Sequence, residues 1–156
     1  MKGLISENMK IVSGIKPVAD ALAGTVTSDY VSLGKYQKLL ALLDIAVGAT
    51  GTTTLTVQCA SDSSGTGAEA VAFKYRRCSS GDTLGSITDA TSAGFTTTAG
   101  SNQFYVLEIE AADCPADKPW VAIKGVEVVD SPVLAGLTMF LAGPRYGGAT
   151  LPTAIA

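Results

Sequence analysis

The chain has 156 residues, 47% of them apolar and only 16% charged, with a net charge of −3 and no histidine. That length suits one domain with one core. The missing histidine removes the commonest general base and the commonest metal ligand, and the dispersed cations do not form a duplex-binding patch.

The charged share lies below the roughly 25% of an average soluble chain. Low charge suits a protein that buries surface in an assembly; the competing explanation is that small Ala and Gly residues raise hydropathy without making patches. The first residues, MKGLISENMK, contain no continuous apolar stretch of the kind that directs secretion. No apolar run reaches the roughly 18 to 20 residues of a membrane-spanning helix. Synthesis in a host cytoplasm, with no membrane partner, is the expectation.

Residues 1–20 carry Ile11, Val12, Ile15 and Val18 as anchors, with Pro17 breaking regular structure. They read as an extended arm that joins a sheet or a neighbour. Val26 to Leu33 alternates as a strand, and Gly34-Lys35 turns the chain. Tyr36 to Val47 reads as a long strand with Leu39, Leu40, Leu42 and Leu43 supplying both faces. Such a strand must be covered on both faces. A helix competes here on propensity, but the GATGTTTLTV segment that follows favours a hairpin. Thr52 to Ala60 is a strand with Leu55, Val57 and Cys59 inward.

Ser61 to Gly67 is a Ser/Gly loop, and Glu69 to Cys78 is read as one strand. Ser79 to Asp82 is a turn and Thr83 to Ile87 a short strand. Residues 88–102 read as a loop with a brief extended piece near Phe95. Gln103 to Glu110 is a clear strand. Ala111 to Lys118 has room for one helical turn between its prolines. Trp120 to Val129 and Leu134 to Ala142 are the last strands, before a Pro/Gly-rich tail that begins at Gly143. Period-two alternation punctuated by Gly, Ser, Asp and Thr turns indicates an all-β, antiparallel β-sandwich, expected as a jelly roll with extended N- and C-terminal arms. The expected division is an arm at 1–20, a sandwich at 21–142 and a tail at 143–156. Leu55, Val57, Phe73, Val106, Leu107, Ile109, Val121, Ile123, Leu137 and Met139 are the expected core.

Few residues suggest chemistry. Asp62 and Glu69 flank the Ser/Gly loop and could hold calcium, but an Asx turn explains Asp62 without metal. Glu108 and Glu110 share a strand face, as a glycosidase pair would, and also as two solvated side chains would. Trp120 suits a sugar platform less well than a core anchor. The three cysteines match no metal spacing. Cys59 is expected as a buried thiol, and a Cys59–Cys78 bridge is the alternative that cytosolic synthesis disfavours. No catalytic, cofactor or metal site is expected, and no enzyme activity.

Several segments carry a resemblance: KIVSGIKPVADALAGTVTSDYVSL, GATGTTTLTVQCASD, AVAFKYRRCSSGDTLGSIT, GFTTTAGSNQFYVLEI, VAIKGVEVVDSP and LAGPRY. In this order, covering most of the chain, they resemble small tailed-bacteriophage virion proteins that look like capsid decoration, or cement, proteins. The resemblance implies a structural virion protein on the capsid exterior, a homotrimer that bridges subunits of the major capsid protein. The residues expected to make capsid or self contacts are Ile11, Ile15, Val18, Leu40, Leu42, Pro144, Arg145 and Tyr146. A tail or baseplate structural protein is the alternative. A carbohydrate-binding display module, with Trp120, Tyr105 or Tyr30 as stacking residue, is another.

Overall fold

The computed structural model describes residues 4–80, 82–146 and 150–155. Gly81 of the expected 79–82 turn, residues 147–149 and 156 of the expected tail, and residues 1–3 of the expected arm lie outside them. Among the described residues thirteen strands follow in chain order: β1 (Met9–Val18), β2 (Thr25–Thr27), β3 (Val31–Ser32), β4 (Tyr36–Ile45), β5 (Thr52–Ala60), β6 (Glu69–Val71), β7 (Phe73–Ser80), β8 (Thr83–Leu84), β9 (Thr88–Ala90), β10 (Phe95–Thr96), β11 (Gln103–Glu110), β12 (Trp120–Val129) and β13 (Ala135–Pro144). The helical structure among the described residues is two 3-10 turns, Ile5–Glu7 and Ala111–Asp113. No helix among them is long and apolar enough to cross a membrane.

The strands form an all-β sandwich of two antiparallel sheets. Sheet A runs β1-β13-β4-β11-β7-β8, with β9 also on β7; sheet B runs β10-β5-β12-β2, with β3 on β12 and β6 on β5. Alternation decides which side chains lie between the sheets. On β4, Leu39, Ala41, Leu43 and Ile45 are buried; on β13, Ala135, Leu137, Met139 and Leu141; on β5, Leu55, Val57 and Cys59. Tyr105, Leu107 and Ile109 of β11 and Val121 and Ile123 of β12 complete the layer. A Leu or Ile buried this way contributes about 1.5–3 kcal/mol. All ten expected core residues are buried, but Val106 lies on the other side of sheet A, opposite Leu42.

Two expected strands are each divided. Glu69 to Cys78 breaks at Ala72 because the chain there leaves sheet B, where β6 pairs β5, and enters sheet A, where β7 pairs β11. Val26 to Leu33 breaks at Ser28 to Tyr30. Buried Ser28 donates its N–H to the Ile123 carbonyl at 2.9 Å, and its Oγ accepts the Ile123 N–H at 3.0 Å. A side chain therefore takes a place in the ladder and interrupts it.

Two glycines permit close approach. A Cβ on Gly94, at φ +76°, would sit 1.9 Å from the Leu55 carbonyl oxygen, so only glycine lets β10 reach β5. A Cβ on Gly51 would sit 2.4 Å from the Ser131 oxygen, where the β4–β5 and β12–β13 connections touch. The same connections are joined by Ala46 N–H to Leu134 O and Leu134 N–H to Val47 O, both 2.8 Å.

Residues 9–18 of the expected arm form the edge strand β1, paired with β13 from Met9 opposite Ala142 to Val18 opposite Ala135. Residues 150–155 of the expected tail lie back against the sandwich. The Ser32 N–H donates to Ala154 O at 2.8 Å, Lys35 Nζ to Thr153 O at 3.0 Å, and the Tyr36 hydroxyl to Pro152 O. Ala154 is fully buried.

The cysteine expectation is corrected. Cys59 is bonded to Cys114, with Cα atoms 6.0 Å apart and a separation of 55 positions in sequence. Cys59 points between the sheets, whereas Cys78 is buried on the outer side of β7 opposite Phe104, so those two cannot meet. After β11 the chain crosses from sheet A to sheet B over the end of the sandwich. The Ala111–Asp113 turn, closed by the Glu110 N–H on Asp113 Oδ2 at 3.0 Å, delivers Cys114 to Cys59 on the way. Replacing Cys114 by Ser, or reducing the native chain, should lower the unfolding free energy by about 2–4 kcal/mol. Urea curves with and without dithiothreitol measure this; coincident midpoints would show that the bridge constrains nothing.

Candidate interaction surface

The outward positions of sheet A carry the feature that distinguishes this sandwich. Outward residues of an antiparallel sheet exposed to water are ordinarily polar. Here the outward positions of β4 are Lys38, Leu40, Leu42 and Asp44, and those of β11 are Phe104, Val106, Glu108 and Glu110. Register aligns them in rows. Ile11, Phe140, Leu40 and Glu108 stand abreast across β1, β13, β4 and β11. In the next row come Thr138, Leu42, Val106 and Arg76. A third contains Asp44, Phe104, Cys78 and Leu84.

The result is an oblique apolar band through Ile11, Phe140, Leu40, Leu42, Val106 and Phe104, ending at Leu84. Ile11 is 52% exposed and Leu84 41%. Val106 is only 4% exposed, flanked in its row by Leu42 and Arg76. Three grooves mark the same face. One of about 650 Å³ lies among Met9, Leu40, Phe140 and Glu108; one of about 470 Å³ lies among Leu40, Leu42, Phe104 and Leu84; and one of about 350 Å³ lies by Ile15, Pro17 and Leu42.

Charges fringe the band at one end. Lys38 Nζ lies 2.7 Å from Glu110 Oε1, and Lys74 pairs with Asp89. The hydrogen bond to Glu110 and its charge hold the Lys38 ammonium above the ordinary lysine value, and Asp89 does the same to Lys74. Both lysines stay charged through the neutral range. Such exposed pairs contribute orientation and salt dependence more than stability.

Sheet B presents a different outer face. Thr54, Thr56 and Gln58 of β5 point out, with Thr54 Oγ1 2.8 Å from Thr96 Oγ1 and Gln58 Nε2 donating to Thr56 Oγ1 at 2.9 Å. Lys124 neighbours Thr56 across the ladder, and the exposed apolar side chains Val126, Val128 and Val129 lie toward the end of β12. One sandwich therefore has a hydroxyl- and amide-lined face and a Leu/Phe/Val face.

Of the expected contact residues, the fold brings Ile11, Leu40 and Leu42 together on this band. Ile15 is half-buried against the core beside it, and Val18 is exposed at the end of β1. Pro144 ends β13 opposite Tyr36, the Arg145 N–H donates to Lys35 O at 2.9 Å, and Tyr146 is exposed; these three sit apart from the band. Sequence reasoning did not single out Phe140, Phe104 or Leu84. The period-two grouping of Phe104 and Val106 with Glu108 and Glu110 was the available signal.

The other candidates also have places. Asp62 Oδ1 accepts the N–H groups of Ser64 at 2.9 Å and Thr66 at 3.1 Å in an Asx turn, and hydrogen bonds from the Thr66 side chain and then its backbone hold the carboxyl below the usual range. Glu69 pairs with Lys118 at 2.9 Å. Among the described residues no group of three or more Cys, Asp or Glu side chains is placed to hold a metal. Tyr105 is 2% exposed, so its ring is no open stacking platform.

No protein-family model and no curated protein matches the chain. Among solved structures the chain is similar to the SPBc2 prophage-derived protein YomS, with a TM-score of 0.45 and 12% identity over 87% of this chain and 94% of that one.

The two faces of β4 should respond differently to substitution. Leu43→Ala, between the sheets, should cost about 2–5 kcal/mol. Leu42→Thr, one residue away on the outer face, should cost the isolated subunit under about 1 kcal/mol. Urea unfolding at low protein concentration separates them, and equal losses would show that the outer face is already packed within the chain.

Proposed function

We propose that this chain is a non-catalytic structural protein of a tailed-phage virion. It decorates the capsid exterior and stabilises it by bridging subunits of the major capsid protein. The observation that carries the binding mode is the part-exposed apolar band on sheet A. A strand with apolar residues on both faces needs cover on both, and the described chain supplies cover for one. Contiguous exposed apolar patches mark association sites, and the low charge of the whole chain agrees with a subunit that works packed against others. The phage assignment and the homotrimer rest on the ordered resemblance of the sequence segments.

The physical task needs no chemistry. A shell under internal pressure fails where its subunits separate. A subunit bound to two neighbours at once makes separation break two sets of contacts, and linkage makes the second contact effectively intramolecular. Many modest apolar contacts per copy, repeated over a shell, then raise the force required. A tail or baseplate ring would use the same band in the same way, and position in the particle distinguishes that alternative.

Native mass spectrometry should find a trimer, and capsids lacking the protein should release DNA at a lower temperature. Leu40→Asp places a charge in the band. If the band is a buried contact, the substitution should cost about 3–5 kcal/mol of association while the subunit keeps its native circular dichroism. Cosedimentation with undecorated heads of the encoding phage reads this directly. Heads that bind the variant as tightly as the wild type, or bind neither, contradict the proposal.

A further inference from the structure

A second site lies elsewhere, on the inner side of β7, and does not depend on the preceding proposal. Arg77 and Tyr105 are cross-strand partners on that side. With Tyr75, Phe95, Thr88 and Thr98 they line a cleft of about 340 Å³ between the edges of the two sheets. That volume is at the small end of ligand sites, which run from about 300 to 1,000 Å³. Its floor is rigid. Tyr75 and Phe95 stack with centroids 3.8 Å apart and planes 3° from parallel, and Phe95 tilts against Tyr105 at 5.4 Å. The Tyr105 hydroxyl accepts the Thr98 N–H at 2.8 Å, which fixes the rim to the floor.

Arg77 is the anomaly. Its Nε is buried and has no hydrogen-bond partner among the described residues. A buried donor on a charged group is costly to leave unpaired. Among the described residues no carboxylate lines the cleft and no ion pair involves Arg77. The guanidinium fork presents parallel N–H donors that fit a carboxylate or a phosphate. A single cation, with no lysine beside it, balances a monoanion better than a dianionic phosphate. The hydroxyls of Thr88 and Thr98 and the aromatic floor suit a ligand that carries hydroxyls on a compact ring.

We propose that this cleft binds the carboxylate of an acidic sugar, with Arg77 pairing the carboxylate and Thr88 and Thr98 contacting ring hydroxyls. Calorimetric titration of the full chain with the methyl glycosides of galacturonate and glucuronate tests it, with methyl galactoside and glucose 1-phosphate as controls. At least one uronate should bind with a millimolar dissociation constant, at least about tenfold tighter than the neutral sugar, a difference of about 1.4 kcal/mol. Arg77→Lys keeps the charge and loses the fork, and should weaken binding about fivefold or more with an unchanged melting temperature. Thr98→Val provides a second, milder variant and should weaken it too. A uronate-terminated trisaccharide separates the sources: binding of both forms assigns a glycan end, and binding of the monosaccharide alone assigns a free sugar acid. Saturation by neither uronate, equal binding of methyl galactoside, tighter binding of the sugar phosphate, or an unchanged affinity in Arg77→Lys overturns the proposal.

Discussion

A β-sheet has two faces, and this chain provides an apolar layer for three of the four faces its two sheets present. Strand β4 concentrates the problem. Between β13 and β11, it buries Leu39, Ala41, Leu43 and Ile45 against sheet B and turns Leu40 and Leu42 the other way. The inner layer makes the fold, because those residues leave water when the two sheets meet. The outer layer contributes little to that step. Its side chains meet only their neighbours in the same sheet, which leaves apolar area whose removal from water is still available to a partner.

The remaining structure holds that face in register. Edge strand β1 extends it by placing Ile11 beside Phe140. The disulfide between Cys59 and Cys114 ties the β11–β12 crossing to β5, so the end of β11 that carries Glu108 and Glu110 is anchored from behind. The β4–β5 and β12–β13 connections are hydrogen-bonded to each other, and residues 150–155 close over β3 and the start of β4. A surface supported in this way would lose little conformational entropy on binding, which favours association through modest contacts.

Much of the fold was legible because alternation is a local signal. The bounds of β5, β11 and β12 agree with the pattern of Thr52 to Ala60, Gln103 to Glu110 and Trp120 to Val129, and the inward sets follow from parity. What parity cannot supply is the sheet to which a strand belongs. Glu69 to Cys78 reads as one run, yet its halves pair with β5 and β11 in different sheets. The break at Ser28 depends on Ile123, far along the chain, and the Cys59–Cys114 bond depends on a crossing that brings distant segments together. The apolar band was half legible for the same reason. Leu40 and Leu42 announce a two-faced strand, but Phe140, Phe104 and Ile11 join them only through the register of β13, β11 and β1. The Arg77 cleft was not legible, since Phe95 and Thr98 reach it from outside sheet A's β7 neighbourhood through β10 and the loop that follows it.

The account's central claim is that the outer face of sheet A is a contact surface and that of sheet B is not. A cryo-electron microscopy map of the assembled particle, at a resolution that places strands, tests it most directly. The account predicts the subunit on the capsid exterior with Leu40, Leu42 and Phe140 packed against neighbouring protein, and with Thr54, Thr56 and Gln58 toward solvent. A subunit bound through the sheet B face, with the apolar band of sheet A in open solvent, would contradict it.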